Sequence, residues 1–304
     1  MCGIVAATAH RDIDDILISG LHALEYRGYD SAGIAIQNGG KQHRLRARGK
    51  VHDLEALMEK TPLPGHCGIA HTRWATHGVP NEANAHPHTS RDEIALVHNG
   101  IIENHDELRL ELQAAGYEFS SETDTEVMVH LVHSFTAQGA DLFGAVRSAV
   151  QRLQGAYAIA VISLAEPGVV VGARAGSPMV LGLGFHEHYL ASDVHPLLTV
   201  TNRFVYLEEG DVVRLETEGY EIRDLNDQVA ERPVREADLT ADAMQRGEYR
   251  HFMQKEIFEQ PTAVADTLEG RIGSDHVLPN IFGVGADEIL RQVEQVHIVA
   301  CGTS

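Results

Sequence analysis

The apolar positions change period along the chain. Residues 2–9 form a short run of apolar and small residues with the length of a strand, whereas Ile13, Ile16, Leu17, Leu21 and Leu24 recur at helical spacing behind Asp12, a residue suited to cap that helix. Two alternating runs, 31–37 and 41–47, flank Asn38-Gly39-Gly40 and predict a hairpin. Residues 67–72 and 94–98 are further strands, and the segment between them, rich in Gly, Pro, Asn and His, is too long for a tight turn and is expected to be a functional loop.

Asn104 with Glu107, and Thr123 with Glu126, have the spacing of a helix cap and its reciprocal partner. The second of these helices carries Val127, Met128, Leu131, Val132 and Phe135 on one face; a third, after Asp141, carries Leu142, Ala145, Val146, Ala149, Val150 and Leu153. Strand-like runs broken by Gly and Pro follow at 155–164, 169–174, 179–183, 189–192 and 203–215. Strands in runs and helices in runs predict an α+β fold built in layers, not alternating βαβ units.

A domain is expected over residues 2–222, a charged and aromatic-poor linker over 223–250, and the cut-off start of a second domain over 251–304, where 296–300 reads as a buried strand leading into Cys301-Gly302-Thr303-Ser304. At 304 residues and 43% hydrophobic the chain can bury a core. Its net charge of −20 argues against nucleic acid and anionic membrane as partners. The expected location is the cytoplasm, because no stretch has the length of a membrane helix and the first residues lack a signal peptide. Three cysteines, Cys2, Cys67 and Cys301, form no C-x-x-C pair, which points away from a disulfide framework.

Cys2 is the candidate nucleophile. A thiol is mostly protonated at neutral pH and needs a base; once the initiator methionine is removed, the α-amino group of the same residue can supply it. By position alone Cys2 is equally a small apolar residue opening a buried strand. Seven histidines lie between His66 and His105, yet no zinc spacing, Walker loop or dinucleotide fingerprint accompanies them, so no metal and no cofactor is expected.

Five motifs carry a resemblance over nearly the whole chain: Cys2-Gly3-Ile4-Val5, Glu25-Tyr26-Arg27-Gly28-Tyr29-Asp30-Ser31, His71-Thr72-Arg73-Trp74-Ala75-Thr76-His77-Gly78, Asn84-Ala85-His86-Pro87-His88 and His98-Asn99-Gly100-Ile101-Ile102-Glu103-Asn104. Together they resemble the glutaminase half of the glutamine:fructose-6-phosphate aminotransferase (isomerizing), or glucosamine-6-phosphate synthase, family. Residues 249–257 and 301–304 resemble that family's junction with its sugar isomerase (SIS) half. Ala6 stands where the wider class commonly has glycine.

The resemblance implies a four-layered αββα N-terminal-nucleophile (Ntn) hydrolase fold followed by the truncated start of an α/β sugar-isomerase domain. It also implies that L-glutamine is hydrolysed through a Cys2 thioester. Asn99 and Gly100 would supply the oxyanion donors, Arg73 would hold the substrate carboxylate and Asp124 its ammonium. Thr76 and His77 would help hold glutamine, Trp74 would gate the ammonia channel, and Arg27 would order the nucleophile's surroundings. Thr303 and Ser304 would begin a sugar-phosphate site, incomplete here; fructose 6-phosphate is a partner only with the missing C-terminal half, in a family expected to be homodimeric. The alternatives are the glutaminase domain of another class II amidotransferase and a non-catalytic glutamine-binding sensor.

Overall fold

The computed structural model describes residues 2–74, 81–237, 249, 251–268 and 286–297. The chain runs through β1 (Gly3–Ala9), α1 (Asp14–Leu24), β2 (Ser31–Asn38), β3 (Lys41–Arg48), α2 (Val51–Lys60), β4 (Cys67–Arg73), β5 (His88–Ser90) and β6 (Ile94–Ile102). Three helices follow, α3 (His105–Ala114), α4 (Asp124–Thr136) and α5 (Leu142–Val150), and then strands β7 (Gly155–Ser163), β8 (Val170–Ala175), β9 (Val180–Leu183) and β10 (Glu187–Ala191). The last strands are β11 (Arg203–Tyr206), β12 (Val212–Glu216), β13 (Gly219–Arg223) and β14 (Val234–Glu236); helices α6 (Phe252–Leu268) and α7 (Ala286–Leu290) complete the described elements.

Two sheets result, with strand orders β14-β11-β9-β10-β1-β4-β2-β3 and β13-β12-β8-β7-β6-β5. The period-two alternation decides what each face meets. In β1, Ile4 and Ala6 point into a core shared with Ala95, Val97, Ala158, Ala160 and Ile162 of the second sheet. Val5, Ala7 and Ala9 point the other way, onto Leu17, Leu21 and Leu24 of α1. The second sheet repeats the arrangement, with Ile159 and Val161 packed on Val127, Met128, Leu131 and Val146 of α4 and α5. The order is therefore helices, sheet, sheet, helices. Both faces of the central strands are covered, so β1, β4 and β7 read as continuous apolar runs although their sheets are antiparallel.

Local chemistry departs from expectation at several ends. Helix α1 starts at Asp14, not behind a cap at Asp12, and has no side-chain cap. Asn104 holds the N-cap position of α3 as expected, but its side chain makes no cap bond; it accepts from Gln154 N–H at 3.0 Å and donates to the Arg152 carbonyl at 2.9 Å. Thr123 does cap α4, accepting from Glu126 N–H at 3.3 Å, but the Glu126 carboxylate turns to Ser120 and Ser121 and accepts from both of their N–H groups and both hydroxyls at 2.7–2.8 Å. Asp141 caps α5 as expected, accepting from Gly144 N–H at 2.8 Å.

Residues 203–215 form two strands in two sheets, divided by the Glu208-Glu209-Gly210 turn. The chain also stays in the sheets beyond residue 222. β14 pairs with β11 from Arg203↔Glu236 to Val205↔Val234, and Arg232 forms a two-pronged ion pair with fully buried Asp211 at 2.7 and 3.0 Å, so the first part of the expected linker belongs to the sandwich. By compactness the chain divides into residues 1–243 and 244–304. In the second unit α6 contains Pro261. Of the strand expected at 296–300, Val296 and His297 are exposed and outside any strand, and 298–300 lie outside the described residues. Among the described residues no helix is long and apolar enough to cross a membrane.

Candidate active site

Sheet register brings the pieces together. β1 pairs antiparallel with β4 from Thr8↔Cys67 to Gly3↔Thr72, so Cys2, one residue before β1, sits beside Arg73 and Trp74 at the end of β4. The Trp74 N–H donates to Cys2 Sγ at 3.2 Å, and Sγ lies 3.5 Å from the Trp74 carbonyl oxygen. Burial pushes the Cys2 thiol above its ordinary pKa, while the hydrogen bond to Trp74 and the charge of Arg73 pull against that rise. Cys67 is buried at the start of β4, where burial raises its thiol to about 12 and removes it as a nucleophile.

Asn99 enters from β6 in the opposite sheet. Its Nδ2 donates to the Cys2 carbonyl at 3.1 Å, and its Oδ1 lies 3.1 Å from His71 Nε2, which also faces the His98 carbonyl at 3.0 Å. Two acceptors on one ring nitrogen require that nitrogen to carry the proton, which fixes the His71 tautomer and, through it, the amide orientation of Asn99. Burial lowers His71 to about 3, so it stays neutral. The His86 ring stacks on His71 with centroids 4.1 Å apart, and His88 Nε2 bonds to Thr123 Oγ1 at 3.0 Å. Desolvation holds both of these imidazoles well below the usual range.

Asp124, the first residue of α4, is buried, and its Oδ2 accepts from Ile102 N–H at 2.9 Å, tying the helix to the end of β6. Next to it, Thr125 Oγ1 bonds to His98 Nδ1 at 3.1 Å. Cys2, Arg73, Trp74, Gly100 and Asp124 line one small cleft together with His86, His98, Thr123 and Thr125. Arg73 is 3% exposed, and burial lowers its pKa against the charges of Cys2, Asp124 and Asp30. Gly100 has φ +138°, and a Cβ there would strike the Ala156 carbonyl of the neighbouring strand, so only glycine fits.

Arg27 does not line the cleft. It is buried in the turn after α1 and donates to Asp193 at 3.4 Å; the adjacent Ser192 exchanges hydrogen bonds with Ile4 of β1 at 3.0 and 3.1 Å. Gly28 lies so close to the backbone behind the thiol that a Cβ would come 2.7 Å from Arg73 C and 2.9 Å from Trp74 N. The Trp74 ring is 45% exposed and meets Tyr29 edge-on at 5.5 Å. Thr76, His77, Thr303 and Ser304 lie outside the described residues. Sequence reasoning assigned no role to His71, His86 and His98; the available signal was an isolated imidazole within an apolar strand run, at 71 in β4 and at 98 in β6.

Residues 71–199 match the model of a glutamine amidotransferase domain. The whole chain is 54% identical to glutamine--fructose-6-phosphate aminotransferase [isomerizing] of Idiomarina loihiensis and 54% identical to that of Pseudomonas aeruginosa, and it covers 50% of each. The chain is a homologue of the amino-terminal half of these aminotransferases. It spans about half the length of the curated relatives it matches. The two-sheet Ntn fold superposes with a TM-score of 0.65 on glutamine phosphoribosylpyrophosphate amidotransferase from B. subtilis, at 24% identity over 75% of this chain and 50% of that one.

Proposed function

We propose that the amidotransferase domain hydrolyses L-glutamine to glutamate and ammonia, with Cys2 as the nucleophile. The observation that carries this reading is the convergence at one cleft of a hydrogen-bonded thiol, a buried cation and a buried anion, with the oriented Asn99 amide bonded to the nucleophile's own carbonyl. Sγ attacks the carboxamide carbon while the α-amine of Cys2, exposed by loss of Met1, takes the thiol proton. The developing oxyanion is met by the second N–H of the Asn99 amide, the first being held by the Cys2 carbonyl, and by the Gly100 N–H. The C–N bond breaks, the protonated amine returns its proton to the departing ammonia, and water cleaves the γ-glutamyl thioester.

The guanidinium of Arg73 binds the substrate carboxylate and Asp124 its ammonium, with Thr76 and His77 completing the glutamine pocket. Arg27 acts at one remove, holding the Asp193 segment that braces β1. The raised Cys2 thiol is why a base is needed: burial keeps it protonated near neutrality. Residues 251–304 are the start of a sugar-isomerase domain and Thr303 and Ser304 the start of its phosphate site. In a polypeptide carrying the remainder that the relatives have, the ammonia would aminate fructose 6-phosphate to glucosamine 6-phosphate in the cytoplasm.

The test is a glutaminase assay on the 304-residue chain, combined with intact mass. Glutamate release by protein lacking Met1, abolished in Cys2→Ala, is the expected result. Undiminished release by Cys2→Ala, or full activity with Met1 retained, would overturn the mechanism.

A further inference from the structure

A second constellation lies away from the cleft. His10 follows β1, His186 forms the β9–β10 turn and Glu218 the β12–β13 turn, and one ligand atom from each lies within 4.8 Å of the others. The His10 Nε2 to Glu218 Oε1 distance is 3.0 Å, and His186 Nδ1 lies 3.0 and 2.9 Å from the two Glu218 oxygens. These separations approach the edges of a coordination polyhedron: metal–ligand bonds of ~2.0–2.2 Å place neighbouring ligand atoms about 3.0–3.5 Å apart.

The placement of the three ligands is built into the fold. β1 and β10 pair with Ala9 opposite Glu187, so one further step of the same register sets His10 opposite His186. His186 has φ +54°, an unusual value for a residue other than glycine. Glu218 arrives from the other sheet. The neighbouring cation, Arg11, is held by both carboxylate oxygens of Glu187 at 2.7 and 3.0 Å, which offsets its charge beside the trio.

We propose that His10, His186 and Glu218 form a surface site for a divalent transition metal of borderline softness, with zinc the best fit to two imidazoles and one carboxylate. The ion takes His10 through Nε2, His186 through Nδ1 and one Glu218 oxygen and completes its shell with water; a proton on either ligating nitrogen moves to the other nitrogen of that ring, or to solvent where the ring carries two. Because the ligands come from both sheets, the bound ion clasps the end of the sandwich and acts on stability, not on the thiol chemistry.

The full chain would be titrated calorimetrically with zinc chloride, beside Glu218→Gln, His186→Ala and His10→Ala. With 19 histidines and the Cys2 thiol offering background sites, the quantity read is the difference between native chain and variants. One equivalent should bind the native chain at least tenfold tighter than any variant and raise its Tm by roughly 5 °C at a hundredfold excess over Kd, with no such rise in the variants. The variants should retain native circular dichroism and glutaminase activity. Equal affinity and equal Tm shift in all four proteins would overturn the proposal.

Discussion

His71 Nε2 lies 3.1 Å from Asn99 Oδ1, and that contact sets which end of the Asn99 amide faces Cys2. The two residues come from different sheets, β4 and β6, so the inter-sheet core aligns the donor with the nucleophile. With its amide turned over, Asn99 would present oxygen to the Cys2 carbonyl and to the developing oxyanion.

His71 is therefore expected to act as a positioning residue. His71→Phe should lower kcat for glutamine hydrolysis by roughly 10–100-fold with KM within about threefold, whereas Asn99→Asp, which removes the donors, should lower kcat by ~10²–10³-fold. The double variant should lose less than the product of the two, because both changes act on one interaction. Multiplicative losses in steady-state kinetics would show that His71 acts elsewhere.

Arg73 and Asp124 should separate substrate binding from thiol reactivity. Asp124→Asn and Arg73→Gln are expected to raise KM for glutamine by about 10–100-fold, the range for losing a charged hydrogen bond of ~1.5–3 kcal/mol. Alkylation of Cys2 by iodoacetamide, which has no amino-acid backbone to recognise, should change less than threefold in Asp124→Asn. Equal losses in both measurements would place Asp124 in the structure of the site and not in recognition.

The histidine layer predicts the acid limit of the fold. An unfolded imidazole titrates near pH 6.5. Folded His71 titrates at about 3, and burial shifts His86 and His88 well downward too. Above pH 6.5 neither state is protonated at these rings, so they add no pH dependence. Below it the unfolded state takes up protons that the folded state refuses, so stability falls as pH falls, by up to ~1.4 kcal/mol per pH unit for each ring. Urea midpoints should drop markedly from pH 7 to pH 5, a window above the titration of most carboxylates, and His88→Gln should flatten the slope. A pH-independent midpoint across that window would contradict this account.

The contrast between elements shows what the sequence could reveal. Strands β1 and β4 are legible as apolar runs of strand length, the β2–β3 hairpin from its Asn38-Gly39-Gly40 turn, and helices α4 and α5 from apolar stripes behind the caps Thr123 and Asp141. Helix α2 is absent from the sequence reading although Val51, Leu54, Leu57 and Met58 recur at helical spacing and pack on the core, a signal that was there to be read. Strand β14 was read as linker because Val234-Arg235-Glu236 is exposed and charged; backbone pairing to β11 and the Arg232–Asp211 ion pair hold it there, neither of which leaves a hydrophobic pattern.

Around the nucleophile, Cys2, Arg73, Asn99, Gly100 and Asp124 are named by motif resemblance, and periodicity alone does not raise them above strand start, turn and cap. Arg27 was named with them but stands behind β1, a distinction only the fold makes. For His71 and His98 the sequence marks an imidazole in an apolar strand run but not its role, for a physical reason. Their work depends on which ring nitrogen meets which carbonyl or hydroxyl, and that is decided by the facing of two sheets far apart in sequence.

Trp74 donates its backbone N–H to the Cys2 sulfur while its indole stands half in solvent against Tyr29. It is the chain's one tryptophan. Its intrinsic emission therefore belongs to a single place, the residue whose peptide nitrogen touches the reacting atom. Acylation or alkylation of the sulfur perturbs that peptide and with it the indole's surroundings, so the fold carries its own optical reporter and the state of Cys2 can be followed without a label.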